Sequence, residues 1–225
     1  MRISYCAIIA ALLAPVPSVA VPVVLVETSD AGFYNNSIGT ALNLSNTGTN
    51  TCAEPFPASD DCTTTYPTAP NLSAASSILG NWLGNPGALN SNWSFLASIP
   101  NSWVPNTEVA VIYRFDTLGA TNVVASFGVD NGIFVWLDGV YRLGARAGGG
   151  HSLGEYTVNI GDLSAGSHYL QLLLEDHGAV NGYDVRITAD TFIPGPPPGD
   201  VPEPVSIWLI ALGMATLGWS RRNKA

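Results

Sequence analysis

Between Glu108 and Asp116 every second side chain is apolar: Val109, Val111, Tyr113 and Phe115 share one face, while the other face begins and ends on charge. A period of two is the signature of a strand with one face buried. The same alternation runs through 122–129, where Val123, Ala125, Phe127 and Val129 share a face, and through 133–138, 155–160, 167–175 and 183–191. Turn-forming residues separate these stretches: Asp130-Asn131-Gly132, Asp138-Gly139, Gly161 to Gly166 and Asp176 to Gly182. Short strands at near-regular spacing, with no helices alternating between them, predict an all-β antiparallel β-sandwich. Ahead of residue 107 the pattern predicts one short helix within 74–84, and mostly polar loop with two strands over 28–73. Residues 141–151 read as a glycine-rich loop.

Two apolar stretches stand outside this pattern. The first twenty residues combine Arg2, an apolar run, and the small residues Ser18 and Ala20 ahead of a cleavage point, which is the form of a secretory signal peptide. At the other end, 194–200 is a Pro/Gly linker in which proline removes backbone donors and fixes φ. Val205 to Trp219 then runs fifteen residues without a charge and is followed by Arg221, Arg222 and Lys224. As a helix this run would cover roughly 22 Å, short of the ~30 Å hydrocarbon core. It reaches across a membrane only with help from flanking tryptophan and arginine side chains. The cationic end marks the cytoplasmic side and leaves the preceding domain outside.

Val201-Pro202-Glu203-Pro204, the short apolar helix and the terminal Arg221-Arg222 pair resemble the PEP-CTERM sorting tail of Gram-negative bacteria. The resemblance implies export, cutting near Pro202-Glu203-Pro204 by an exosortase-type membrane enzyme, and delivery to the cell surface or the extracellular polysaccharide matrix. The expected organisation is a signal peptide over 1–20, an exported domain over 21–193, a linker over 194–200, and a sorting tail over 201–225 that holds the precursor in the membrane. Within the exported domain, the stretch from Val129 to Val140 and the stretch from Leu163 to Asp176 resemble paired strands of galactose-binding-domain-like jelly rolls, over roughly 105–192. That resemblance implies a jelly-roll-like sandwich. It leaves the ligand open, because the fold serves carbohydrate modules, adhesins and structural domains alike.

Charge narrows the range of partners. Only 11% of residues are charged, and within 21–200 sixteen acids face four arginines, a formal charge of −12. Such a surface lacks the clustered cations that nucleic acid requires and repels anionic phosphates and membranes. Cys52 and Cys62, with nine residues between them, are expected to form a disulfide in an exported compartment. The bridge would contribute ~2–3 kcal/mol by restricting the unfolded chain.

Candidate chemistry is sparse. Gly150-His151-Ser152-Leu153-Gly154 matches the G-x-S-x-G pattern of hydrolases. A nucleophile elbow, however, needs a strand that turns into a helix, and here an alternating strand follows. No catalytic residue is therefore assigned. Asp130, Asn131 and Asp138 offer hard oxygen ligands suited to a structural Ca²⁺, but they depart from the Ca²⁺-loop spacing, and residues of this kind ordinarily cap turns. His168 shares a strand face with Leu170, Leu172 and Leu174 and is expected to be a partly buried structural histidine. Sugar recognition needs an aromatic face with a few polar groups. The candidates are Trp82, Trp93 and Trp103, set among Asn, Gly and Pro and open to exposure, together with Tyr141, Arg142, Arg146 and His151 of the 141–151 loop. The leading expectation is an exported, non-enzymatic surface or matrix protein associated with exopolysaccharide. The alternatives are a secreted esterase or glycosidase and an inert structural or adhesive component.

Overall fold

The computed structural model describes residues 21–44, 64–147, 150–176 and 180–195. The stretch 1–20, Cys52, Cys62, His177 and the chain from 196 onward, including Pro202, Glu203, Pro204, Arg221 and Arg222, lie outside the described residues. The described chain forms β1 (Val23–Glu27), β2 (Gly32–Gly39), β3 (Thr64–Thr65), a 3-10 turn (Ser73–Ala75) running into α1 (Ser76–Leu79), and β4 (Ser94–Leu96). Then follow β5 (Glu108–Leu137), β6 (Val140–Ala147), β7 (Tyr156–Leu163), β8 (Gly166–Glu175), β9 (Gly182–Ala189) and β10 (Thr191–Pro194).

β5 serves both layers of an antiparallel sandwich. Its first stretch pairs with β2 on one side and, from Glu108↔Glu175 to Thr117↔Gly166, with β8 on the other. Its middle stretch, 120–130, crosses to the second layer, where it lies between β7 and β9, with β1 beyond β9. Its last stretch returns to the first layer, pairs with the far edge of β8 from Gly132↔Glu175 to Leu137↔Leu170, and turns through Asp138-Gly139 into β6. Both turn residues have positive φ, 52° and 75°, as a two-residue hairpin that matches strand twist requires.

The alternation in the sequence is the interior of this sandwich. Val109, Val111, Tyr113 and Phe115 face Val123, Phe127, Val129, Leu170, Leu172, Leu174, Tyr183, Val185 and Ile187 in one core. A second core forms on the outer face of the first layer, where Ala110, Ile112, Phe134, Trp136 and Leu173 are covered by the 72–93 segment through Leu79, Trp82 and Trp93. Strands buried on both faces carry continuous apolar runs. That accounts for Ile133-Phe134-Val135-Trp136-Leu137 and Leu172-Leu173-Leu174, which simple alternation does not.

Three expectations are corrected. Residues 141–147 of the expected 141–151 loop belong to a strand, β6, hidden in the sequence because the small residues Gly144 and Ala145 stand at buried positions. Gly144 faces the Phe134 ring and the Tyr141 hydroxyl, which a side chain there would strike. The helix is confined to Ser76–Leu79 and ends at Gly80, whose φ is 63°. Pro194, expected to open the 194–200 linker, instead ends β10 opposite Thr117, since proline is tolerated on an edge strand. The molecule also has two distinct ends. Val23↔Ala189 and Pro194↔Thr117 put the entering and leaving chain at one of them. Glu108↔Glu175 and Asp130↔Gly182 lie at the other.

Candidate functional site

The end opposite the chain termini gathers most of the buried polar side chains. Glu108, at the start of β5, accepts hydrogen bonds from Leu42 N at 2.9 Å and Leu44 N at 2.8 Å, pinning the 42–44 segment over the sheet. Burial pushes its pKa up; the two N–H donors pull it down, and the charge of Glu175 adds to the rise. Arg146 donates from Nε and Nη2 to Glu175 Oε1 at 3.1 and 3.0 Å, with both side chains almost wholly buried. These groups hold the segment to the sheet and are sealed from solvent.

The 141–151 candidates therefore separate. Arg146 is neutralised inside, Arg142 is exposed, and Tyr141 packs edge-on to Trp136 while donating to Tyr66 O at 2.9 Å. Burial, with Tyr66 nearby, pushes the Tyr141 pKa up to about 12. His151 Nδ1 lies 3.0 Å from Asp184 Oδ2, and its ring covers Gly182, where no side chain would fit. Two of the three basic side chains of this stretch, Arg146 and His151, are thus paired with acids. Glu155 clamps the loop, accepting from Ser152 N at 2.8 Å and Val129 N at 3.0 Å. Ser152 thus sits between two strands, its backbone packed on Gly128, and not at the head of a helix.

The calcium candidates also part. Asp130 Oδ2 accepts from Gly150 N at 3.1 Å. Asp138 sits eight positions further along the chain at the hairpin turn, its Oδ1 accepting from Tyr169 N at 2.8 Å and its Oδ2 2.7 Å from His168 Nδ1. Among the described residues no three His, Cys, Asp or Glu side chains gather as a metal site.

Of the tryptophans, Trp82 and Trp93 are buried and stacked at 5.7 Å, which corrects their placement as exposed candidates. They form the second core, so the polar residues around them line its rim. Trp103 alone of the three stays half-exposed. It belongs to a strap, 98–107, that crosses the open edge of the sandwich. Ile99 N donates to Asp30 O, Tyr183 N to Asn101 O, and Asn106 N to Asp176 Oδ2. Trp103 itself is fixed three ways: its N donates to Asn181 Oδ1 at 2.9 Å, its O accepts from Asn181 Nδ2 at 3.0 Å, and its indole N–H donates to Thr107 O at 2.8 Å. The ring is rigid and its N–H is engaged, so its free chemistry is an apolar face.

Two open grooves flank the strap. One, about 390 Å³, runs between Trp103 and β2 and is lined by Tyr34, Asn36, Ser102, Trp103, Thr107 and Val109. The other, about 570 Å³, lies towards β1 and β9 and is lined by Glu27, Thr28, Ser98, Asn101, Asp184 and Arg186, among others. Desolvation raises the Tyr34 pKa, so this phenol stays neutral. Sequence reasoning found Trp103 but missed its neighbour Ser102 and, on β2, Tyr34 and Asn36, which are nearly seventy positions earlier in the chain and reach this groove only through the β2–β5 pairing and the strap.

Among solved structures, a PA14 sugar-binding domain from an RTX adhesin aligns with 61% of this chain and 71% of its own, at 13% identity and a TM-score of 0.30. A likeness of that size says nothing about ligand. No curated protein matches the chain. Among the described residues no helix is long and apolar enough to cross a membrane. Residues 200–222 match the PEP-CTERM protein-sorting motif, which marks the chain as an exported protein carrying a sorting signal.

Proposed function

We propose that the chain is a non-catalytic protein of the cell surface or extracellular matrix, cut from a membrane-held precursor by an exosortase-type enzyme, whose sandwich associates with polysaccharide. The sorting motif over 200–222 supports the address. The observation that carries the binding is Trp103, a partly buried residue at the rim of a groove, its backbone held by Asn181 through two hydrogen bonds and its indole N–H by Thr107 O. A fixed aromatic face with neutral polar groups beside it is the arrangement a sugar ring uses, apolar C–H face against ring and hydroxyls to amide and hydroxyl. Calcium enters as a condition of the test because Asp130, Asn131 and Asp138 carry oxygen atoms of the type it binds, although Asp130 accepts from Gly150 N and Asp138 meets His168. The mature secreted protein is expected to be retained on a polysaccharide array, with and without chelator, and Trp103→Ala is expected to lose that retention. No retention on any glycan in either condition would reduce the protein to an inert structural component.

A further inference from the structure

Asn101 lines one groove and the next residue, Ser102, lines the other, so the two clefts abut across a single peptide of the strap. The strap is fixed at this crossing, through Asn101 O to Tyr183 N and through Trp103 N and O to Asn181. Resting on the Trp103 reading above, we infer that the two grooves form one track, and that its ligand is an interior stretch of a neutral polysaccharide chain, not a chain end.

Three observations carry this. First, hydrogen-bonding groups without a partner among the described residues stand along both clefts: the Tyr34 hydroxyl, the Asn36 amide and Ser102 on one side, Ser98 and the Asn101 amide on the other. Ser98, Asn101 and Ser102 stand within five residues of the strap, which extend at most about 18 Å, and Tyr34 and Asn36 stand on β2, so the groups are divided between two clefts instead of lining one. Chain-end recognition closes around a terminus, and both clefts here are open.

Second, the charge of the lining excludes an acidic polymer. The Trp103 groove has no charged side chain. In the other, Arg186 Nη2 is held at 3.0 Å by Glu27 Oε1, and Asp184 is held by His151. A uronate or a sugar phosphate would find no unpaired cation in the lining, and it would approach a domain of formal charge −12 over 21–200.

Third, the aromatic face is confined to one groove. The Trp103 side supplies the anchor, and the Ser98–Asn101 side adds polar contacts reached only by a chain long enough to cross the strap. A second set of contacts made by an already tethered chain gains from effective concentration.

The test uses the intact mature protein with neutral glucans, galactans and mannans, each as short oligomer and as polymer, and alginate as the anionic arm, measured by calorimetry. The expected result is polymer affinity about a hundredfold above that of the oligomer per site, with no alginate binding. Ser98→Trp, which fills the second groove, is expected to remove the polymer advantage and leave oligomer binding intact. Asn101→Ala, which takes away only an exposed amide, is expected to reduce the advantage severalfold, and serves if the larger substitution disturbs folding. Trp103→Ala is expected to abolish both. Equal affinity for oligomer and polymer, indifference to both Ser98→Trp and Asn101→Ala, or preference for alginate would overturn the track and leave the Trp103 site standing. Failure to bind any of these polymers would overturn both.

Discussion

His168 illustrates how a single residue is decided by the chemistry of its partners. Its Nδ1 faces Asp138 Oδ2 at 2.7 Å and its Nε2 faces Ser164 O at 3.0 Å. Both partners accept, so both ring nitrogens donate and the ring is an imidazolium. Burial against Phe115 opposes the charge, but the bonds to Asp138 and Ser164 and the charges of Asp138 and Asp116 prevail, and the pKa is raised above 6.5. A histidine with a raised folded pKa contributes stability in full below its unfolded value, and that stability is lost as pH rises through the folded value. Chemical denaturation is therefore expected to show stability falling as pH climbs from about 6.5, with a flatter profile in Asp138→Asn; an unchanged slope would refute the imidazolium. At Glu108 the two carboxylate oxygens accept from two different N–H groups. Glu108→Gln can satisfy only one of them, so denaturation should show a loss of about 1–3 kcal/mol although a buried charge has been removed. Little of this was legible in the sequence. His168 was placed by its leucine neighbours, but Glu108 looked like the charged end of an amphipathic strand, because nothing local announces that residues 42–44 fold over it.

At the scale of elements, most of the long strands were legible and β1, β4 and β6 were not. Alternation on the face turned to the main core located the three stretches of β5 as well as β7, β8 and β9, although the last stretch of β5 and part of β8 bury their other face too. β1 and β4 were missed, the first because Val23-Val24-Leu25-Val26 does not alternate and the second because it is only three residues long. The second core was missed for a related reason: its Trp82 and Trp93 lie in polar surroundings, and their burial is set by Trp136 and Phe134 from a distant strand. Trp82 meets Trp93 at 5.7 Å and Trp136 at 5.5 Å, so Trp82→Ala is expected to cost about 3–5 kcal/mol. Loss of near-ultraviolet dichroism ahead of the main unfolding transition would mark separate melting of the 72–93 cap, whereas a single lowered transition would mark one cooperative unit. Gly128 tests the loop beyond β6 in the same way. A Cβ there meets the Ser152 backbone, and Gly128→Ala is expected to raise amide exchange at Ser152 and Val129, the two donors to Glu155.

For the whole molecule, the chain enters and leaves at one end, and the strap with Trp103 lies at the other. In the proposed membrane-held precursor, before cutting, this arrangement would present Trp103 away from the membrane. Mass spectrometry of surface-recovered protein is expected to find a C-terminus near Pro204; an intact Ala225 there would argue against processing.

β10 lies between that tail and the sandwich. It is a four-residue strand paired with β5 from Thr191↔Thr121 to Pro194↔Thr117, with Gly195 N bonded to Asp116 O beyond it. A pull transmitted through the tail meets Gly195 first and must open the β10 pairings before any load reaches β9 and the interior. The β10 pairings are therefore the first to open when the chain is drawn from its C-terminal side, and the Trp103 strap, at the opposite end of the sandwich, lies farthest from that load.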